Sequence, residues 1–255
     1  MTSRGEHSPR PRVAVFRPDD GRLERSMELL ESFGLAPIGD PLLDIVPTGD
    51  TPRSDADLVI LTSSTAADVL EAADWDAGET PICAIGPRTA DALKSAGYAV
   101  SEVPSRYSSQ GIVDLLSGRV GGRRIEIARS GHGSSVLPDG LMSDGAYVHE
   151  TVLYTLERPA GSGKSIDLLT AGELDAALFT SPLTVEHFVE AATERGRDGE
   201  ILGDLERCLV GVIGEPTRKR AAAFGIGVDV VPAEAGVEQL VEAVAGRLDA
   251  GVEDR

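Results

Sequence analysis

The sequence predicts an α/β protein built on parallel β-sheets, and three observations support this prediction. Short β-branched runs, such as Val13 to Phe16 and Leu58 to Leu61, alternate with longer amphipathic segments, a pattern that is typical of βα units. The chain of 255 residues is long enough for two modest domains. It also contains an internal repeat, which indicates that one set of βα units occurs twice.

The first helix follows from local spacing. The segment "GRLERSMELLESFG" places Leu23, Met27 and Leu30 on one helical face. Gly34 then supplies a C-terminal stop. Two later helical segments, "ADALKSAG" and "KRAAAFG", end in glycine in the same way. A further strand is predicted at Ile125 to Ala128.

The repeat consists of several matching stretches, one of which keeps a constant offset. "DLVILTSSTAADVLEAA" from Asp57 returns as "DAALFTSPLTVEHFVEAA" from Asp175. Further along, Gly86 falls on Gly214 at an offset of 128 residues, and a weaker match near an offset of 112 places "RVAVFR" from Arg12 beside "RIEIAR". The chain is therefore predicted to be an internal duplication of one smaller unit.

Two extended segments interrupt the alternation of strands and helices. They are "PLLDIVP" from Pro41 and "HETVLYTLERP" from His149. Each could cross from one domain to another, and they are predicted as connecting strands at 41–47 and 149–159. If they lie side by side, one domain is built from the two chain ends and the other from the middle.

The net charge of −18 and the scarcity of lysine limit the possible partners. Only three lysines stand among 24 basic residues, so nucleic acid is not an expected partner. A high-salt cytosol, where charge repulsion is screened, is the favoured explanation because it also accounts for the acidic excess. A GC-rich genome, which favours Arg over Lys, stays open as the alternative.

Nothing in the sequence resembles a membrane or secretion segment. No run approaches the roughly 18 apolar residues of a membrane span, and "MTSRGEHSPRPR" at the N-terminus lacks the apolar core of a secretion signal. A soluble, cytoplasmic protein with a short disordered lead is expected. Cys83 and Cys208 are isolated, and two buried thiols are the favoured interpretation.

Four strand-to-helix turns carry groups that could bind anions. A helix N-terminus offers unpaired N–H groups and a positive dipole end, so it accepts carboxylate or phosphate. In open α/β folds, ligands bind at this edge of the sheet. The simpler alternative is helix capping by Ser and Thr, which is favoured for any single turn. The turns are Thr62 to Ser64, Gly86 to Thr89, Thr180 to Pro182 and Gly214 to Thr217.

Other motifs fail on their spacing. "ERPAGSGKS" has Arg158 where a phosphate loop needs its first glycine, so a flexible linker is predicted. "RSGHGSSV" lacks the third glycine of a dinucleotide site. Ser63 has no G-x-S-x-G elbow around it, so a nucleophilic role is not predicted. The four histidines are scattered, predict no zinc site, and are expected at the surface or in hydrogen bonds: His7, His132, His149 and His187.

The order of several short motifs resembles the uroporphyrinogen-III synthase family over nearly the whole chain. The motifs are "VFRP", "ILTSSTA", "AIGPRTADAL..AG", "TVLYT", "FTSPLTVEHF" and "VIGEPT". The resemblance implies two flavodoxin-like parallel-sheet domains, one from residues 1–40 and 157–255 and one from 45–150. It implies a two-stranded connector and a substrate cleft between the domains. One departure lies after Arg129, where "SGHGSSVL" replaces the family's arginine-rich turn.

The resemblance also implies a reaction. The linear tetrapyrrole hydroxymethylbilane, which carries eight carboxylate arms, would lose water and close to uroporphyrinogen III through a spiro intermediate, with its last ring inverted. This reaction belongs to haem, sirohaem and cobalamin biosynthesis and needs no cofactor or metal. A monomer would suffice, and the substrate could be handed over by hydroxymethylbilane synthase. A two-lobed binding or regulatory module without catalysis stays open as the alternative.

The same resemblance assigns roles to individual residues. Tyr154 in "VLYT" matches the family's connector tyrosine and is the predicted catalytic acid, a packed strand tyrosine being the alternative. Four arginines are candidates for contact with the acidic substrate on electrostatic grounds, with exposure to solvent as the equal alternative for each: Arg17, Arg88, Arg129 and Arg218. The Thr-Ser turns would hold carboxylate arms on opposite sides of the cleft. The predicted substrate-binding residues are Thr62, Ser63, Ser64, Gly86, Thr89, Thr180, Ser181, Gly214, Thr217, Arg17 and Arg129.

Overall fold

The computed structural model describes residues 10–253, and the side chains of residues 10–250. His7 and most of the predicted N-terminal lead lie outside the described residues. The strands are β1 (Arg12–Phe16), β2 (Ala36–Gly39), β3 (Asp44–Pro47), β4 (Leu58–Leu61), β5 (Ile82–Ala84), β6 (Val100–Glu102), β7 (Arg124–Ser130), β8 (Tyr147–Glu157), β9 (Ala176–Phe179) and β10 (Leu209–Val212). The helices are α1 (Arg22–Ser32), α2 (Ser64–Ala72), α3 (Pro87–Ser95), α4 (Ser109–Leu116), α5 (Val136–Ser143), α6 (Lys164–Thr170), α7 (Pro182–Glu194), α8 (Ile201–Leu205), α9 (Glu215–Ala223) and α10 (Val237–Glu253).

The chain forms two compact units. The first comprises the described parts of Met1–Asp44 and Glu157–Arg255, and the second is Ile45–Leu156. Each unit holds one sheet with apolar clusters on both faces, as parallel sheets covered by helices require. The prediction of an α/β fold with parallel sheets is confirmed.

The sheet of the first unit has the strand order β10-β9-β1-β2, with all its neighbours parallel. A parallel bridge from Gly211 to Val230 extends it by one position beyond β10. With that bridge counted as a fifth strand, this is the doubly wound order described for flavodoxin. On one face Phe16, Phe179 and Phe188 pack together, with ring centroids 4.7 to 5.5 Å apart.

The sheet of the second unit has the order β3-β8-β7-β4-β5-β6. The segments predicted as connecting strands contain β3 and β8, which are neighbours at one edge of this sheet. Strand β8 begins at Tyr147, two residues before the predicted start, and β3 begins only at Asp44. That these strands connect two domains stays a prediction.

Four strands of the second sheet have the same spatial arrangement as the four strands of the first, although the matching strands occur in a different order along the chain. If β7 is set on β1 and β4 on β9, then β8 matches β2 and β5 matches β10. A side-chain bond supports this alignment. The carboxylate of Asp175 accepts the N–H of Arg12 at 2.7 Å, and that of Asp57 accepts the N–H of Arg124 at the same distance.

The segment around "GSGKS" is not the flexible linker that its composition predicts. The buried carboxylate of Asp40 accepts the Gly163 N–H at 2.8 Å and the Ser165 N–H at 2.9 Å, and the Ser165 hydroxyl also donates to it at 2.5 Å. Gly163 has φ +93°, which favours glycine. The carboxylate therefore satisfies N–H groups at the start of α6 that have no partner within the helix, and it fixes the start of α6.

Cys83 and Cys208 are free and buried, as predicted. Burial disfavours the charged thiolate and raises the pKa of each to about 12. Both groups are therefore protonated thiols at neutral pH, packed as small apolar residues. Among the described helices, none is both long and apolar enough to span a bilayer.

Candidate active site at the carboxyl ends of the strands

The predicted site residues of the second unit gather at the carboxyl edge of its sheet. Ser63 follows β4, Gly86 follows β5, and Arg129 and Tyr154 lie near the ends of β7 and β8. The strands from β8 to β6 are parallel, so their carboxyl ends meet at one edge, which is where open α/β folds bind ligands.

Tyr154 and Ser63 form a hydrogen-bonded pair at this edge. The Tyr154 hydroxyl lies 2.9 Å from the Ser63 Oγ, and the tyrosine is 5% exposed. Ser63 has extended backbone geometry at the N-cap of α2, and its Oγ accepts the N–H of Ala66 at 3.1 Å. Because a hydroxyl carries a single hydrogen, one of the two side chains donates to the other and keeps no second proton to give.

The Thr-Ser turns act as helix caps in both units. In the first unit, Ser181 caps α7 through a reciprocal capping box with Thr184, and the Thr180 hydroxyl donates to the Phe16 carbonyl at 2.7 Å. The simpler alternative for these turns, capping, is confirmed for Ser63 and Ser181. That they also bind carboxylates stays a prediction, and Thr62 and Ser64 are half-buried beside Ser63.

The threonines of the two glycine turns are more deeply buried than expected. Thr89 and Thr217 are only 4% and 1% exposed, so a carboxylate would reach their hydroxyls only after a local rearrangement. Gly86 and Gly214 have extended backbones that any residue adopts. A Cβ on Gly86 would lie 3.3 Å from the Cβ of Tyr107, so close packing favours glycine there.

The candidate arginines differ in their surroundings. Arg129 is 8% exposed, donates to the Ser134 carbonyl at 2.6 Å and pairs with Glu150. Arg129 is therefore held by Glu150 and by Ser134 of the "SGHGSSVL" loop, and its contact with substrate stays a prediction. The half-buried Arg17 donates to Ser26 at 3.3 Å.

The remaining two arginine candidates are exposed. Arg88 lies in the first turn of α3. Arg218 is paired with Glu215, which raises the pKa of the arginine and lowers that of the glutamate. No cluster suited to a metal ion occurs among the residues that the structure describes.

Sequence reasoning missed Tyr107 and Glu150. Tyr107 is 64% exposed and packs on Gly86, so it adds an aromatic surface to the carboxyl edge. An isolated tyrosine in "SRYSS" carries no periodic signal that would have revealed it. The pairing of Glu150 with Arg129 depends on the register of β8 against β7.

A family model and two relatives each match most of the chain. The family model for uroporphyrinogen-III synthase HemD matches residues 24–242. A protein of Methanothermobacter thermautotrophicus, whose own assignment as a uroporphyrinogen-III synthase is provisional, is 32% identical over 249 residues, covering 91% of this chain and 97% of that protein. Uroporphyrinogen-III synthase of Chlorobaculum parvum is 23% identical over 238 residues, covering 86% of this chain and 92% of that protein.

Two solved structures share the fold. A mutant uroporphyrinogen III synthase from Thermus thermophilus has a TM-score of 0.65 at 20% identity, and the enzyme from Helicobacter pylori has 0.62 at 16%. Each comparison covers 94% of this chain and 99% of the other. Because the family model spans most of the sequence and a 32% identical relative covers 91% of it, the chain belongs to the uroporphyrinogen-III synthase family.

Proposed function

We propose that this protein is a uroporphyrinogen-III synthase, a carbon-oxygen lyase that removes water from hydroxymethylbilane and closes the ring with its last pyrrole inverted. The reaction would serve haem, sirohaem and cobalamin biosynthesis. Family membership supports the reaction. The observation that supports a catalytic role for Tyr154 is its hydrogen bond to Ser63 at 2.9 Å.

Tyr154 donates a proton to the departing hydroxyl in this proposal. The Ser63 Oγ already accepts the Ala66 N–H, so it can turn its own hydrogen towards the tyrosine oxygen. The phenol then keeps its hydrogen for the substrate, and one hydrogen-bonded geometry holds it in place. Electrons of the pyrrole expel the hydroxyl readily, so the larger task is to hold the chain so that the inverted ring attacks the correct carbon.

Substrate carboxylates bind near helix N-termini in each unit. The starts of α2 and α3 in the second unit, and of α7 and α9 in the first, combine cap residues with unpaired N–H groups. The net charge of −18 opposes an acidic substrate only at a distance. Salt screens that repulsion within about 10 Å, whereas N–H groups and Arg17 act at contact.

The two units descend from one duplicated unit, supported by the shared strand order and by the matching bonds of Asp57 and Asp175. Strands β3 and β8 serve as the connector.

The protein works in the cytoplasm as a monomer with a halophilic-type acidic surface, and receives its substrate from hydroxymethylbilane synthase.

A product assay tests the activity. The full chain at molar salt is given hydroxymethylbilane, and the products are oxidised and separated into the type I and type III isomers. Type III is the expected major product. A folded protein that yields only the type I isomer of spontaneous closure would contradict the proposal, and binding without turnover would then favour a binding module.

Replacing Ser63 tests the positioning of Tyr154. We expect Ser63→Ala to lower kcat about tenfold, because one hydrogen bond to the phenol is lost, with little change in KM. Loss of the N-cap should also lower the free energy of unfolding by about 1 kcal/mol. Steady-state rates and urea unfolding measure the two effects, and Ser63→Thr should restore kcat.

The matched control is Ser108→Ala. Ser108 caps α4 in the same unit and accepts the N–H of Gly111 at 3.1 Å, without a tyrosine partner among its described contacts. It should lose similar stability and keep full kcat. Equal kcat values in both variants would show that Ser63 is only a cap.

A further inference from the structure

A cavity of about 500 Å³ opens at the amino-terminal ends of β7 and β8. This is the edge of the second unit's sheet opposite the candidate active site. Strand β7 has seven residues, so roughly 20 Å separates the two edges. The lining residues that matter here are Arg53, Asp55, Arg124, Glu126, Tyr147 and His149.

In the first unit the equivalent sheet surface is covered by a helix. The strand alignment sets Ala14 on Glu126 and Ile38 on His149. Ala14 belongs to a buried cluster that includes Ile166 from α6, the helix that directly precedes β9. The segment preceding β4, the counterpart of β9, is 48–57; all its residues are described and none is helical. The cavity therefore lies where the second unit lacks a helix.

The floor of the cavity is polar where its counterpart is apolar. Glu126 is 1% exposed, and His149 Nδ1 lies 2.9 Å from its Oε2, while the Thr151 hydroxyl donates to Oε1. Burying a carboxylate is costly even when it is hydrogen-bonded, and the equivalent position in the first unit is the apolar Ala14. The contact with Glu126 uses Nδ1, so Nε2, the other nitrogen of the His149 ring, is left to bond another group.

The rim supplies guanidinium groups and an aromatic ring. Arg53 Nε lies 3.0 Å and Arg124 Nη1 3.2 Å from the Asp55 carboxylate, and Arg124 Nη2 lies 3.5 Å from Asp57. Each guanidinium has five N–H donors, so both keep donors beyond these pairs. Tyr147 is 70% exposed and offers a ring face.

We infer that this cavity binds a small planar aromatic acid that carries a second polar group. Its ring packs on Tyr147, its acid group accepts from Arg53 and Arg124, and its second polar group bonds Nε2 of His149. A partner helix would need the apolar floor that Ala14 and Ile38 provide in the first unit. This binding site goes beyond the proposed synthase activity and does not depend on it.

Anthranilate (2-aminobenzoate), a fluorescent acid with this combination of groups, is the probe. We expect saturable one-to-one binding to the full chain in a fluorescence titration. Arg53→Gln and His149→Gln should each weaken binding about tenfold, the size of one hydrogen bond to a charged or polar partner. Aniline, which lacks the acid group, should not compete.

Arg119→Gln is the matched control. Arg119 pairs with Glu102 in the same unit, and this pairing raises the pKa of Arg119 just as Asp55 raises the pKa of Arg53. Arg119 does not line the cavity. The Arg119→Gln variant should therefore bind anthranilate with the affinity of the unmodified chain. If His149→Gln fails to fold, the exposed Arg53 variant decides the question.

Three results would overturn the inference. They are the absence of saturable anthranilate binding, binding that Arg53→Gln leaves unchanged, and tighter binding of a peptide of residues 163–172. The peptide contains α6, so its preference would show that this surface receives a helix rather than a small acid.

Discussion

Tyr154→Phe is expected to lower kcat about 100-fold, the lower end of what general acid catalysis contributes. The variant removes only the hydroxyl that lies 2.9 Å from Ser63 and keeps the ring in its cluster with Leu153. Departure of the substrate hydroxyl would lose its proton donor, so spontaneous closure would compete and the type I fraction would rise. Initial rates and the isomer ratio measure both effects.

Tyr98→Phe is the control for this change. Tyr98 lies in the same unit, and its hydroxyl donates to the Trp75 carbonyl at 2.9 Å. Its loss should cost about 1 kcal/mol of stability with no effect on rate or isomer ratio. A Tyr154→Phe enzyme with unchanged kcat would mean that the tyrosine is a packed strand residue and that water or another group supplies the proton.

Asp40→Ala should be the most destabilising substitution considered, by about 3 to 5 kcal/mol. It leaves the N–H groups of Gly163 and Ser165 and the Ser165 hydroxyl without their buried acceptor. The start of α6 should loosen, and with it the cluster around Ile166. Urea unfolding followed by circular dichroism measures the loss.

Two further variants make the Asp40 result specific. Asp198→Ala removes an exposed carboxylate from the same unit and should change stability by no more than about 0.5 kcal/mol. Asp40→Asn keeps one acceptor oxygen and should lose an intermediate amount. If Asp40→Ala were as stable as Asp198→Ala, the carboxylate would not organise this segment.

Local patterns predicted the elements whose causes are local. The strands at Val13 and Leu58 and the helix ending before Gly34 needed only periodicity and a stop signal, and Gly34 has φ +77° as a helix stop favours. Capping by Ser63 and Ser181 can likewise be predicted from the sequence, because each cap residue directly precedes its helix in the chain.

Features set by distant residues could not be predicted. The Asp40 carboxylate that binds the "GSGKS" segment lies 123 positions before Gly163 in the chain. Because nothing close in sequence indicates this contact, the composition of the segment predicts a linker. The Ser63–Tyr154 bond spans 91 positions, and composition alone does not place a hydroxyl within reach of a phenol. The sequence also placed Thr89 and Thr217 at the correct edge without revealing that they are almost completely buried.

The position of β1 between β2 and β9 has a consequence for synthesis on the ribosome. From Gly39 at the end of β2 to Ala176 at the start of β9 the chain advances 137 positions, which takes roughly 7 to 27 seconds at translation rates of about 5 to 20 residues per second. During that delay β1 has β2 beside it but lacks its second neighbour, β9, whereas the second unit emerges without interruption. The middle of the protein should therefore fold first, and the unit made from its two ends should form last, because β1 must wait for β9.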